Sequence, residues 1–289
     1  MAISIADLLN EATLVLRDGG VVEARREAGS LLSFVIGRDR TFLISHAEDL
    51  VDVPDLVRFQ QIVARRAAGE PLQYITGVQD FFGREFRVTT DTLIPRPETE
   101  LLVEAALEVI AQTPSPVLCD VGTGSGCIAV TLLCERTDVR AIAIDVSPGA
   151  LAVASENARR HGVDERIVCE VSDCFDALEP RKFDLIVSNP PYVSAAALAG
   201  LQREVKDHEP LIALSPGPDG LTIIRRLLHD APRFLKKSGH LIIEIGFDQG
   251  EKVRELIDPG VWRLQEIRPD LQGIPRIVVL IHIPVTSGS

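Results

Sequence analysis

No stretch of this chain reaches the roughly 18 to 20 consecutive apolar residues that a membrane-spanning helix needs, although 46% of its 289 residues are hydrophobic. The opening residues, Met1-Ala2-Ile3-Ser4-Ile5-Ala6-Asp7, lack the basic start and apolar run of a secretion signal. Basic side chains are in deficit: 30 Lys and Arg against 42 Asp and Glu leave a formal charge of −12. A protein that grips duplex nucleic acid through its phosphates needs a basic footprint, and none is supplied globally. The five cysteines (Cys119, Cys127, Cys134, Cys169, Cys174) form no CxxC pair and have no histidine at ligand spacing. That argues against zinc, and an odd count suits a reducing compartment. No internal repeat or low-complexity tract is present. The expectation is a cytoplasmic chain with no metal, no membrane and no direct nucleic-acid partner.

What is there divides into two patterns. Through about residue 76 the apolar residues recur at helical spacing. Ile5, Leu8, Leu9, Ala12 and Leu16 form one stripe, closed by Gly19-Gly20. Ala24, Ala28, Leu31, Leu32 and Val35 form a second, and a third helix opens at Pro54 with Leu56, Val57, Phe59, Ile62 and Val63 before Gly69. This predicts a small helical bundle over 1–76, slightly acidic, with eight Arg and no Lys against eleven Asp and Glu. Residues 77–92 read as a β-hairpin linker, with Gly83 at the turn and aromatics flanking it. Ile94-Pro95-Arg96-Pro97-Glu98-Thr99-Glu100 then opens a helix, where proline fits the first turn and glutamates favour the positive end of the dipole.

From about 117 short apolar runs alternate with helices: 117–121, 141–145, 167–171, 183–188 and 240–245, then 262–267 and 277–283. Such alternation means a parallel sheet with helices on both faces. The last two runs share only a short link, so they pair antiparallel. The tail Val285-Thr286-Ser287-Gly288-Ser289 reads as disordered.

Asp120-Val121-Gly122-Thr123-Gly124-Ser125-Gly126 follows the first of these strands. In doubly wound sheets ligands bind beyond the carboxyl ends of the strands, and glycines let a ligand approach bare backbone. A dinucleotide loop of the GxGxxG kind wants glycine at 127, where Cys127 stands. The GxGxG spacing with an acid two residues ahead favours a nucleoside carrying an amino-acid tail, because a carboxylate at 120 repels phosphate and attracts ammonium. Asp145 ends the second strand, 19 residues beyond Gly126, and can accept from both ribose hydroxyls. Asp173, after the third strand, is placed to accept from an adenine amino group, with Cys174 beside it. Acids at three successive strand ends point to S-adenosyl-L-methionine, with S-adenosyl-L-homocysteine as product. A dehydrogenase, or acids that only cap helices as Asp164 and Glu165 do, is the competing reading.

Asn189-Pro190-Pro191-Tyr192 follows the fourth strand directly. Two prolines remove two backbone donors and fix φ, leaving a stiff loop that presents acceptors: the Asn189 side-chain oxygen and the Pro190 carbonyl, beside the ring of Tyr192. That suits a planar NH2 group, an amide or an adenine amine, gripped for direct attack on a sulfonium methyl. A rigid strand-capping turn is the plainer alternative. His208 beside Glu209 reads as an ordinary polar pair at a loop or helix end, and Arg96 either steers the acidic cofactor tail or pairs with Glu98 or Glu100.

Taken together these pieces resemble the release-factor glutamine methyltransferases, the PrmC/HemK group. The likeness runs over nearly the whole chain: the helical N-terminal region, Phe81-Phe82-Gly83, Leu93 to Glu100, Asp120 to Gly126, Asn189 to Tyr192, Glu209-Pro210, Asp219-Gly220-Leu221 and Glu244-Ile245-Gly246. The Asn-Pro-Pro-Tyr piece is shared with amino-methylating nucleic-acid enzymes; the Ile-Pro-Arg-Pro-Glu-Thr-Glu piece is far more particular. The resemblance implies an α/β, Rossmann-like class I methyltransferase domain over 93–289 with a seven-stranded mixed sheet, and an N-terminal bundle that docks substrate. It implies methylation of the glutamine N5 in the Gly-Gly-Gln loop of peptide-chain release factors; a monomer is the expectation for the chain. It also implies that Gly122 to Gly126 and Asp145 hold the cofactor and that Asn189 to Tyr192 hold the glutamine amide. Family members often carry an aromatic where Cys174 stands, so either Cys174 or Phe175 packs on the adenine. The runner-up is an adenine-N6 DNA or RNA methyltransferase using the same tetrapeptide, and a further alternative is a non-catalytic cofactor-binding adaptor.

Overall fold

The computed structural model describes residues 3–215 and 217–283, so the tail from Val285 lies outside the described residues. The chain forms two compact units: residues up to Val78 together with Gln202–His208, and Gln79–Leu201 together with the residues from Glu209 onward.

The first unit is built on three main helices, Ile5–Asp18, Ala24–Ile36 and Val53–Ala67. Short helices Arg40–Ser45 and Leu72–Thr76 and a small antiparallel pair, β1 (Ile3–Ser4) with β2 (Leu50–Val51), complete it. Ser4, Asp39 and Asp52 cap three of the helices through their side chains, satisfying amides that have no partner inside the helix. The two stripes read from the sequence face inward, with Leu16, Leu31 and Leu32 fully buried. Each fully buried leucine contributes roughly 1.5–3 kcal/mol. On the third helix Phe59, Ile62 and Val63 are buried, whereas Val57 is exposed. One residue along a helix turns the side chain by about 100°, so Val57 leaves the stripe that Phe59 and Ile62 occupy. Arg66, buried among these helices, is ion-paired to Glu27 and Glu204, both at 2.5 Å.

The second unit opens with the hairpin β3 (Val78–Phe81) and β4 (Arg84–Arg87), turning at Phe82-Gly83. Its Phe81 and Phe86 rings meet edge-on at 6.0 Å and lie in the unit's core, so the strands read as a linker are packed structure. The sheet holds β5 (Val117–Val121), β6 (Arg140–Asp145), β7 (Ile167–Val171), β8 (Phe183–Ser188), β9 (Leu235–Glu244), β10 (Trp262–Pro269) and β11 (Pro275–His282). Their order is β10-β11-β9-β8-β5-β6-β7. The five strands β5 to β9 run parallel, while β11 pairs antiparallel with both β9 and β10.

Apolar residues face both ways along the central strands: Leu185 and Val187 of β8 enter one core and Phe183 and Ile186 the other. A strand buried on both faces reads as a continuous apolar run instead of an alternation, which is the pattern of Ile277 to Ile281. After β5 the order proceeds outward to β6 and β7, and on the other side to β8 and β9. The reversal beside β5 is the switch point where the carboxyl ends leave a crevice.

Candidate functional site

Four strand ends, those of β5, β6, β7 and β8, converge on one cavity of about 380 Å³. That falls within the span of about 300 to 1,000 Å³ usual for small-molecule sites. Gly122, Thr123, Gly124, Ser125, Asp145, Asp173, Cys174, Asn189, Pro190 and Pro191 line it; Asp120, Gly126 and Tyr192 do not.

The glycine loop is shaped by its backbone. Gly122 and Gly124 sit at φ of 73° and 56°, a region that costs a side chain strain. A Cβ on either would meet no protein atom within 4 Å, so bare backbone borders open space. The amides of Gly122 and Thr123 donate to the Ile144 carbonyl at 2.8 and 3.0 Å, tying the loop to the end of β6. Asn157 clamps it from below, its Nδ2 donating to the Ser125 carbonyl at 2.8 Å.

Asp120 lies beneath this loop and is completely buried. Its Oδ2 accepts from the Thr123 hydroxyl at 2.7 Å and from the Ala129 amide at 3.3 Å, while Oδ1 has no hydrogen-bond partner. Burial pushes the carboxyl up to about 7, with the Thr123 and Ala129 bonds opposing and Asp145 assisting. Asp120 thus does not line the cavity and is joined to it through the loop above, by way of Thr123.

Asp145 is placed differently. Each carboxylate oxygen accepts one backbone N–H, Oδ2 from Gly124 and Oδ1 from Ser147, both at 2.9 Å. A carboxylate offers about four acceptor sites, so two remain for hydroxyls in the cavity. Asp173 is exposed, and its Oδ1 accepts from Arg226 at 2.7 Å; Arg226 also lines the cavity. The Arg226 bond takes one acceptor site of Asp173 and leaves others for the adenine amine that the sequence reading assigns to it. Between Cys174 and Phe175, Cys174 faces the cavity, while Phe175 turns into the core and stacks on Phe234 with ring centroids 4.8 Å apart. A wall with a ribose-grade carboxylate, a bare-backbone loop and a small thiol fits a nucleoside with an amino-acid tail.

The loop after β8 forms the opposite wall. The Ser188 hydroxyl donates to the Val121 carbonyl at 2.7 Å, joining the two strand ends. Asn189 Nδ2 donates to Thr99 Oγ1 at 3.0 Å, which leaves its Oδ1 as an acceptor. Tyr192 is held behind the loop: its hydroxyl donates to Glu244 Oε1 at 3.4 Å, and its carbonyl accepts from Gln249 at 3.1 Å. Burial raises the phenol well above its ordinary value.

The segment carrying Arg96 explains itself here. Arg96 pairs with Glu209 at 2.5 Å and with neither Glu98 nor Glu100, and Glu209 also accepts from the Ile94 amide at 3.4 Å. The Glu209 side chain is 1% exposed, so it is a buried anchor and not the ordinary polar pair with His208 that the sequence suggested. Thr99, Arg226 and Gln249 had no assigned role in the sequence. Among the described residues no group of three or more His, Cys, Asp or Glu could hold a metal ion, and no helix is long and apolar enough to cross a membrane.

Comparison with known proteins agrees with this geometry. Residues 7–77 match the PrmC N-terminal domain and residues 98–205 the methyltransferase small domain. A release factor glutamine methyltransferase from Cereibacter sphaeroides is 45% identical over 94% of this chain and 96% of its own length. One from Nitratidesulfovibrio vulgaris is 43% identical over 95% and 94%. Among solved structures, the hMettl16 catalytic domain in complex with MAT2A 3′UTR hairpin 6 shares the fold, with a TM-score of 0.57, 16% identity, and coverage of 84% of this chain and 87% of that one. A seven-stranded methyltransferase sheet, a matching N-terminal domain and identity of this extent have one explanation: the chain is an S-adenosylmethionine-dependent methyltransferase that belongs to the release factor glutamine methyltransferase family.

Proposed function

We propose that the protein transfers a methyl group from S-adenosylmethionine to the side-chain amide nitrogen, N5, of the glutamine in the Gly-Gly-Gln motif of peptide-chain release factors, in the cytoplasm. The observation that carries this reading is the hydrogen bond from Asn189 Nδ2 to Thr99. It uses one of the two donors of the Asn189 carboxamide and leaves Oδ1 as an acceptor on a residue that lines the cavity beside Pro190. Two acceptors are what a primary amide's NH2 requires.

Gly122 to Ser125, Asp145 and Cys174 would hold the cofactor, which when bound supplies an electrophilic methyl on a sulfonium. The work of the chain is positioning. An amide nitrogen is a poor nucleophile because its lone pair is shared with the carbonyl. Asn189 Oδ1 and the Pro190 carbonyl grip its two hydrogens, turn the nitrogen toward the methyl, and stabilise positive charge as it develops there. The alkylated nitrogen is acidic enough to release its surplus proton to solvent, so no strong base is needed. The prolines keep the acceptors in place by fixing φ.

The test uses labelled S-adenosylmethionine and a release factor with the loop glutamine intact or changed to alanine. Label enters the first and not the second. Equal labelling of both would reject the glutamine assignment, and label in nucleic acid alone would favour the adenine-N6 reading.

A further inference from the structure

Asn157, on the helix Pro148–Arg160, is completely buried and does not line the cavity. A buried carboxamide is costly unless its polar edges are met, and here they are. Oδ1 accepts from the Arg87 amide at 2.8 Å. The two hydrogens of Nδ2 go to the Arg87 carbonyl at 2.9 Å and to the Ser125 carbonyl at 2.8 Å. Turned over, the same group would set its NH2 against an N–H and its oxygen against two carbonyls, so the surroundings tolerate one orientation only.

The two residues it joins lead to different walls of the cavity. Ser125 belongs to the glycine loop and lines it. Arg87 ends β4 and does not, but the chain that leaves it does, at Asp91, Thr92, Leu93 and Pro95. The same helix meets that second wall again near its start: a Cβ on Gly149 would lie 2.7 Å from the Asp91 carboxyl carbon. The first half of the glycine loop has ties of its own, from the Gly122 and Thr123 amides to the Ile144 carbonyl and from the Gly124 amide to Asp145. Ser125, in the second half, is held by Asn157. The hairpin has further anchors on this helix: Glu156 pairs with Arg87, Arg160 pairs with Glu85 at 2.7 Å, and His161 Nε2 lies 3.0 Å from the Glu85 carbonyl. Losing Asn157 would therefore release the loop and leave β4 docked.

We propose that Asn157 is a positioning residue for cofactor binding. Through one carboxamide it fixes Ser125 relative to the strand that leads into the 91–95 wall, so that both walls stand at their binding distance before the ligand arrives. A ligand entering walls that are already ordered does not bear the cost of ordering them. The proposal concerns the cofactor alone and does not depend on which nitrogen accepts the methyl.

The experiment compares wild type with N157A and N157D. Alanine removes all three bonds. Aspartate keeps the shape and the acceptor for the Arg87 amide but, when ionised, has no hydrogen for either carbonyl. The Kd for S-adenosylhomocysteine, measured by calorimetry, is expected to rise about tenfold or more in both, the scale of leaving a buried carbonyl unpaired. At saturating S-adenosylmethionine, kcat for release-factor methylation should stay within about threefold of wild type, as when binding is lost without loss of transition-state contacts. A residue that served stability alone would lower the unfolding midpoint and the fraction of protein able to bind, with the Kd of the folded fraction unchanged. That result would overturn the proposal, as would a fall in kcat with no change in Kd. Independently of activity, the Ser125 carbonyl carbon and the Gly126 amide nitrogen that follows it report the bond to Asn157. Both resonances should shift in the ligand-free variants, and an unshifted pair would equally overturn it. Should neither variant fold, wild type still decides: hydrogen exchange at the Arg87 amide, whose acceptor is Asn157, should slow on saturation with S-adenosylhomocysteine, and an unchanged rate would reject the coupling. Wild type that binds S-adenosylhomocysteine but does not label the release factor would reject the function proposed above and leave these binding results standing.

Discussion

A carboxamide has two chemically opposite edges at nearly the same shape, and at Asn189 the Nδ2 edge is bonded to the Thr99 hydroxyl at 3.0 Å. That makes the side chain's contribution separable from the loop's. Asn189→Ala removes an acceptor aimed at charge that develops only during transfer, so kcat is expected to fall about a hundredfold or more, as for other lost transition-state hydrogen bonds. Affinity for S-adenosylhomocysteine, measured by calorimetry, should weaken only a few-fold, because Gly122, Gly124 and Asp145 remain in place. Unchanged turnover would remove Asn189 from the reaction. Asp120 and Asp145 show the same lesson with opposite outcome. Both are acids at strand ends that the sequence reading turns toward one cofactor, Asp120 to its ammonium and Asp145 to its ribose. The fold buries Asp120 under the loop with an unpaired oxygen and leaves Asp145 lining the cavity with acceptor capacity to spare.

The stiffness of the Asn-Pro-Pro-Tyr loop comes from elements that the sequence does not mark as its supports. Gln249 Nε2 donates to the carbonyls of both Tyr192 and Gly220, each at 3.1 Å. Gly220 has φ of 73°, and a Cβ there would lie 2.3 Å from the Tyr192 carbonyl oxygen. Neither backbone can yield without moving the loop. Gly220→Ala is therefore expected to displace Tyr192 and lower kcat at least tenfold or so, the size of effect that a misplacement of about 1 Å produces. Cofactor affinity should stay near wild type. Loss of kcat and cofactor affinity together would point to general unfolding of the site. The strands were legible because burial on both faces writes uninterrupted apolar runs such as Ile277 to Ile281. The glycine loop and the double proline were legible because each departs from what a strand or helix tolerates. Thr99, Glu209 and Gln249 were not, because the partners named here lie between 29 and 115 residues away in the chain. Pairings of that range leave no local periodicity. Val57 was misread for the converse reason: an apolar residue beside a stripe looks like part of it until the helix phase is fixed.

Across the whole molecule two buried carboxyls, Asp120 and Glu244, are pushed up to about 7, in both cases chiefly by burial. A carboxyl raised in the folded protein binds a proton more tightly there than in the unfolded chain. Its stabilising contribution is complete below the unfolded value near 4 and is lost as pH rises toward and through about 7. Between pH 5 and 8 wild type should therefore lose thermal stability relative to a D120N/E244Q variant, whose amides do not titrate, and the two unfolding curves should diverge progressively up to pH 8 and no further. Taking the difference between the proteins removes the contribution of His240, whose burial lowers its value and gives the opposite slope. A ligand changes the balance, because the ammonium of its amino-acid tail favours ionised Asp120 when it lies in the cavity. S-adenosylhomocysteine should accordingly raise the unfolding midpoint of wild type more at pH 8 than at pH 6, and raise that of D120N about equally at both. A wild-type shift that is flat with pH would mean that Asp120 does not sense the ligand, and the loop alone would then be its reason for being there.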